Sequence, residues 1–188
     1  MCGLVFVPRN YHLSAAAEKA RYDLHDNSTE NSGYVNFLNQ YISTTLSFMD
    51  GGGRGLDFGS GPGPVLSGLL ASRGFVMSIF DPIYAHDESV FSEQYDLITM
   101  VEVLEHLKDP VYEIRRLLDC LAPGGTLSIM TKMLPRNQGD FTAWSYKNDL
   151  THICFYSASA IEWLSAHLNT RVIYPSQDMV LMRRAIMI

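Results

Sequence analysis

Leu56-Asp57-Phe58-Gly59-Ser60-Gly61-Pro62-Gly63-Pro64 reads as a strand that runs into a glycine-rich turn and then into a helix start. Glycine lacks a Cβ, so the backbone there can turn tightly and lie against a ligand. The dinucleotide fingerprint wants glycine at the sixth position counted from Gly59, and Pro64 stands there. No lysine followed by Ser or Thr closes the loop either, which removes a triphosphate cradle. A nicotinamide cofactor is disfavoured, and a turn preceded by the acid Asp57 suits a ligand that carries positive charge.

Outward from this turn, short apolar runs alternate with helical stretches, the pattern of a parallel sheet built from βαβ units. Strands are expected at Gly55–Phe58, Phe75–Phe80, Tyr95–Glu102 and Thr126–Met133, with helices at Pro64–Arg73 and Pro110–Leu121. Pro64 and Pro110 suit a first helical turn, Gly74 suits a left-handed stop, and Gly124-Gly125 are expected to end the second helix. Val111, Ile114, Leu117, Leu118 and Leu121 form one apolar stripe on that helix. After a long polar and aromatic loop, Leu134 to Tyr156, a helix opens at Ser157 or Ser159, where Ser159 and Glu162 have capping-box spacing. Thr170–Tyr174 and Met179–Ala185 close the chain as an antiparallel hairpin. Residues 10–50 carry helical spacing alone and read as two leading helices, the first ending near His25 and the second starting near Ser32. The fold class is therefore α/β, a Rossmann-like doubly wound, mostly parallel sheet with an antiparallel C-terminal hairpin strand. The 188 residues are expected to form a single domain, with a helical lid region at 1–50 and the sheet core at 54–188.

Fourteen Lys and Arg against twenty Asp and Glu give a net charge of −6, opposite in sign to the footprint of a nucleic-acid binder. With no basic stretch leading into an apolar core at the start and no apolar run of membrane length, a cytoplasmic protein that makes no membrane contact is expected. Cys2, Cys120 and Cys154 form no C-x-x-C pair, so neither a disulfide framework nor a zinc site can be read from them.

The segment LDFGSGPGP resembles the first motif of the class I S-adenosylmethionine-dependent methyltransferases, a family with a Rossmann-like sheet. Asp81, at the end of the run Phe75–Phe80, stands where that family places the acid for the ribose hydroxyls. Tyr95–Pro110 is similar to the fourth-strand motif of the branch containing quinone-biosynthesis O-methyltransferases, and Leu121–Leu127 matches the turn before the fifth strand. The resemblance implies S-adenosylmethionine as cofactor. It assigns Gly59, Ser60, Gly61 and Gly63 to the methionine and ribose part, Asp57 to the ammonium end, and Pro82 and Ile83 to the adenine. Val101 and Glu102 would line the pocket.

Two departures stand out. Only thirteen residues separate Asp81 from Tyr95, too few for the helix and full third strand usual in the family, so a shortened third-strand edge is expected. The acid that often takes the adenine amino group belongs to that region, which leaves Asp87 or Glu88 in its place. Met1–Phe6 resembles the last knuckle of a zinc ribbon that precedes the catalytic domain in some relatives; one cysteine cannot complete a four-ligand structural site, and no bound metal is expected.

Ligands in open α/β sheets bind beyond the carboxyl ends of the strands, where the Leu134–Tyr156 loop emerges. Its His152 is expected to act as base or substrate ligand, and Trp144 and Tyr146 to stack on a flat acceptor. Glu105 and His106 face either the methionine end of the cofactor or a helix N-terminus. Tyr22 is expected in the lid, and Arg21 and His25 share a helix face. The sequence thus points to methyl transfer to the oxygen or nitrogen of a small molecule. A catalytically silent S-adenosylmethionine-binding module that supports a partner, and an RNA or protein methyltransferase, are the alternatives.

Overall fold

The computed structural model describes residues 2–24, 27–135 and 137–184. His25, expected at the end of the first helix, and Ala185, expected at the end of the hairpin, lie outside the described residues. The elements run β1 (Val5–Phe6), α1 (Ala15–Tyr22), α2 (Ser32–Leu46), β2 (Gly53–Phe58), α3 (Val65–Ala71), β3 (Phe75–Phe80), β4 (Tyr95–Val101), α4 (Pro110–Asp119), β5 (Leu121–Met130), α5 (Gln138–Ala143), β6 (Cys154–Phe155), α6 (Ala158–His167), β7 (Thr170–Ser176) and β8 (Met179–Arg184).

Six strands form one sheet in the order β3-β2-β4-β5-β8-β7. The first four are parallel, and β8 runs antiparallel to both β5 and β7. Leu38, Tyr41 and Ile42 of α2 pack with Leu66 and Leu70 of α3 on one face. Ile114, Leu117 and Leu118 of α4 and Ile161 and Leu164 of α6 cover the other. A buried polar link fixes α2 to the sheet: the Tyr41 hydroxyl donates to the Ser128 carbonyl at 3.0 Å, and Thr45 Oγ1 lies 2.9 Å from Ser128 Oγ.

Beyond Phe80 the chain forms a 3-10 turn, Glu88–Ser92, and no strand, so β3 is the sheet edge. The thirteen residues expected to be too few for another strand and helix do leave that edge short. Several boundaries differ from expectation. β4 ends at Val101 because Glu102 takes a left-handed φ of 53°. α4 stops at Asp119, and Gly124-Gly125 lie inside β5, where the register with β4 shifts between Tyr95 and Leu97. The N-cap of α6 is Ser157, which accepts from the Ala160 amide at 3.2 Å, while Ser159 turns its hydroxyl to Ser157. The Leu134–Tyr156 segment contains α5, a 3-10 turn at Ser145–Asn148 and β6, and β6 pairs with β1. Strands of two residues show no readable alternation, which is why this small ribbon was not expected. Among the described residues no helix is long and apolar enough to cross a membrane.

Asp57 sits in the middle of this framework. It is 3% exposed, and its two carboxylate oxygens accept from Ser67 of α3 at 3.0 Å and Thr99 of β4 at 3.1 Å. Burial pushes its carboxyl up to about 6, with the two hydroxyl bonds pulling the other way. In the unfolded chain the group titrates near 3.8. Between those values the folded chain binds one proton more than the unfolded one, so stability falls as pH rises through that window. Asp57→Asn keeps the shape and removes the titration. The variant should lose less stability than the wild type between about pH 4 and about pH 7, by roughly 2 kcal/mol. Urea midpoints at the two ends measure this, and equal losses in both proteins would contradict it.

Candidate active site

The turn after β2 is tied to the end of β3. The amides of Gly59 and Ser60 donate to the Phe80 carbonyl at 2.7 and 3.2 Å, and the Gly61 amide donates to Asp81 Oδ2 at 3.0 Å. Asp81 Oδ1 takes the amides of Ile83 and Tyr84 at 2.8 and 3.0 Å, which fixes the next turn. Gly59 and Gly61 adopt φ of 79° and 64°, left-handed values that exclude most side chains. A Cβ on Gly63 would stand 2.2 Å from the Asn27 carbonyl oxygen, so this glycine lets the segment before α2 cross over the turn.

Above the turn lies a cleft of about 900 Å³. Gly59, Ser60, Gly61, Asp81, Pro82 and Ile83 line one part of it, and Val101, Glu102, His106 and His152 another, with Tyr22 on the roof. These eleven expected site residues therefore share one wall system. Asp57 and Gly63 do not reach it: Asp57 holds the turn from beneath through α3 and β4, and Gly63 faces Asn27. Trp144 and Tyr146 are also off the wall, in an aromatic cluster behind it. The Trp144 ring lies 5.1 Å from Tyr146 and 5.7 Å from Phe155. Glu88 lines the cleft; Asp87 instead caps the 3-10 turn, accepting from the Ser89 amide at 2.9 Å.

Sequence reasoning missed Tyr34 and Phe37 of α2, which line the roof, and Arg116 of α4, which lines the far end and stacks 3.5 Å above the Phe91 ring. Their spacing marked an apolar helix face and a charged helix face, with nothing to tell cleft from core or solvent. The lining is strongly acidic, with seven carboxylates (Glu18, Asp81, Glu88, Glu102, Asp109, Glu113 and Asp149) against Lys108 and Arg116. The Ser60 hydroxyl is buried and has no partner among the described residues. An orphaned hydroxyl in a glycine turn that faces an acidic cleft fits a polar, positively charged cofactor, because a buried polar group otherwise carries a desolvation cost.

Glu102 is the strained residue of the cleft, with its backbone in the left-handed region at the carboxyl end of β4. Such strain persists where the surroundings enforce it and gathers at functional sites. Burial and the neighbouring Glu105 hold the Glu102 carboxyl well above its usual range. Glu105 is fully buried and accepts from the hydroxyls of Tyr146 and Thr131. It thus points behind the wall, to Thr131 and Tyr146, and not along either direction expected for it. His106 Nδ1 lies 2.9 Å from the Thr151 carbonyl, and His152 Nδ1 lies 2.7 Å from the Tyr146 carbonyl. A carbonyl only accepts, so both Nδ1 atoms carry the proton. Burial and the nearby His106 lower the His152 pKa.

α1 buries none of its own side chains and crosses the cleft on polar tethers. Glu18 meets Lys108 at 3.4 Å, Arg21 meets Asp149 at 3.3 Å, and the Tyr84 hydroxyl donates to Asp23 at 2.6 Å. Burial draws the Asp149 carboxyl upward, but the Thr151 amide and hydroxyl with Arg21 hold it well below the usual range.

Known proteins bear on this geometry. N-methyltransferase NodS from Bradyrhizobium japonicum, solved with S-adenosyl-L-homocysteine, superposes with a TM-score of 0.60 at 17% identity, over 88% of this chain and 95% of that one. The mitomycin 7-O-methyltransferase MmcR has a TM-score of 0.60 at 16% identity, over 81% of this chain and 55% of its own. A tRNA U34 carboxymethyltransferase from Desulfotalea psychrophila is 35% identical over 49 residues, 26% of this chain. The chain spans only 15% of that relative's length. A family model described as a methyltransferase domain matches residues 30–174, well over half of the chain. With the sheet order, the glycine turn and its acidic cleft in place, the chain belongs to the methyltransferase-domain family, within the class I S-adenosylmethionine-dependent methyltransferases.

Proposed function

We propose that this cleft transfers the methyl group of S-adenosylmethionine to a hydroxyl or amine of a small molecule. The observation that carries the reading is the union, in one acidic cleft, of the glycine turn with the Glu102, His106 and His152 set. When bound, the cofactor supplies a methyl group already activated on a sulfonium sulfur. Gly59, Ser60 and Gly61 present backbone and an unpartnered hydroxyl to it. Asp81 receives the ribose: each carboxylate oxygen can accept more than one bond, so the bonds to Gly61, Ile83 and Tyr84 leave capacity for hydroxyls. Pro82 and Ile83 lie against the adenine, and Glu88 stands at that end in place of the missing third-strand acid.

The acceptor enters on the Glu102 side, where His106 and His152 bind its reacting atom and assist loss of its proton. Much of the rate of such a displacement comes from holding the nucleophile in line, with proton handling adding to it. Trp144 and Tyr146 support that wall from behind. α1 closes the cleft, with Tyr22 set edge-on to His106 at 5.4 Å between ring centroids. The net charge of −6 and the seven cleft carboxylates favour neutral or cationic acceptors over a polyanion such as RNA.

Methyl-labelled S-adenosylmethionine, offered with panels of hydroxylated and amino small molecules, total RNA and protein, tests the assignment. Label should enter a small molecule, and His152→Ala should reduce the rate by at least about tenfold. Label only in RNA or protein would overturn the acceptor class, and cofactor binding without any transfer would favour the silent-module reading. The tethers of α1 are partly exposed ion pairs and so respond to salt. The double substitution Arg21→Ala with Lys108→Ala should speed release of S-adenosylhomocysteine several-fold and flatten the dependence of that rate on ionic strength. Stopped-flow displacement reads both, and unchanged release would show that α1 does not gate the cleft.

A further inference from the structure

His106 and His152 are arranged alike. Each commits Nδ1–H to a backbone carbonyl, Thr151 for one and Tyr146 for the other, which leaves an unprotonated Nε2 in the neutral ring. Metal-ligating histidines are held in this manner, with the second nitrogen tied to a carbonyl or carboxylate that sets tautomer and ring orientation. The two rings stand 4.8 Å apart, and His106 Nε2 is 3.7 Å from Glu105 Oε1. One ligand atom from each of Glu105, His106 and His152 lies within 4.8 Å of the other two.

Charge gives an independent observation. Glu105 is fully buried, and Glu102 beside it is half-buried. Among the described residues no Lys or Arg forms an ion pair with Glu105, whose partners are the neutral hydroxyls of Tyr146 and Thr131, with His106 Nε2 at 3.7 Å. A buried carboxylate is ordinarily matched by a countercharge or a metal.

We propose that Glu105, His106 and His152 form a site for a divalent first-row transition ion on the wall of the cleft, and that this ion takes the hydroxyl oxygen of the acceptor. The inference rests on the methyl-transfer reading and makes it more specific, since it selects oxygen over nitrogen acceptors. Two imidazoles and one carboxylate suit Zn²⁺, Co²⁺ or Mn²⁺ better than Mg²⁺ or Ca²⁺, which prefer all-oxygen sets. A hydroxyl on the ion loses its proton to water more readily. Its oxygen lone pair then forms the bond to the methyl carbon while the carbon–sulfur bond breaks, and the sulfonium becomes a neutral thioether. His152 would thus act through the ion. The expectation of no metal came from the cysteines; this donor set is assembled by the fold from β4's exit and the loop before β6, and no ligand motif was evident in the sequence.

Cobalt(II) is the probe. The chain is stripped with a chelator and titrated with Co²⁺, following the visible ligand-field bands, and S-adenosylhomocysteine binding is measured on the same preparations. One Co²⁺ per chain should bind, displaced by Zn²⁺ and not by Mg²⁺. His106→Ala and His152→Ala should each weaken it by at least about tenfold with S-adenosylhomocysteine binding retained. His152→Gln serves if the alanine variant fails to fold, and His167→Ala, on the exposed side of α6, should leave Co²⁺ binding unchanged. No saturable Co²⁺ binding by a chain that binds S-adenosylhomocysteine, or binding indifferent to His106 and His152, would overturn the ion site alone. Loss of both ligands by the folded wild type would overturn the cofactor reading with it.

Discussion

The tie between the ends of β2 and β3 organises everything above the sheet. The Phe80 carbonyl and the Asp81 carboxylate receive the amides of Gly59, Ser60 and Gly61, so the turn cannot fold back over the strand ends. That arrangement leaves the cleft open and presents the Ser60 hydroxyl to it. From below, Asp57 holds the start of α3 and the middle of β4 against the same turn. A buried acid is an expensive way to do so, and its raised pKa records the cost. Two layers of carboxylate, one buried and one at the cleft edge, therefore bracket a backbone segment whose glycines allow the left-handed conformations it needs.

Opposite the turn, the chain leaves β4 through the left-handed Glu102 and a short 3-10 turn, Leu104–His106. Glu105 is driven inward to Thr131 and Tyr146, while His106 stays at the cleft. The loop before β6 reaches the same place from the other direction, bringing Thr151 and His152, and its aromatic residues fill the space behind. Strain at one backbone position and burial of one acid thus belong to a single feature, the juxtaposition of the two histidines at the end of the cleft. α1 buries none of its side chains and meets the rest of the enclosure through polar side-chain tethers.

Much of the fold was legible in local chemistry. The glycine turn, the strand ending in Asp81 and the fourth-strand segment each have a pattern that survives without knowledge of the rest, and the short spacing from Asp81 to Tyr95 correctly signalled a sheet edge. What could not be read depended on tertiary partners. Asp57 lies in a strand whose last four residues are buried on both faces, so alternation does not say which way it points. Gly124-Gly125 look like a helix stop and instead allow a register shift within β5. Trp144 and Tyr146 look like stacking platforms because loop aromatics often are; β1 and β6 turn them into a packed cluster with Phe155. The convergence of Glu105, His106 and His152 spans more than forty residues and has no signature in spacing alone.

In the proposed reading, the turn after β2, with Asp81 at its edge, seats S-adenosylmethionine. Calorimetric titration of the chain with S-adenosylhomocysteine, beside Asp81→Ala shown by circular dichroism to be folded, tests it most directly. Saturable one-to-one binding is expected of the wild type, with a loss of at least about tenfold in the variant, the size that follows when charge-assisted hydrogen bonds are removed. Equal affinity in both proteins, or no binding by the folded wild type, would contradict it.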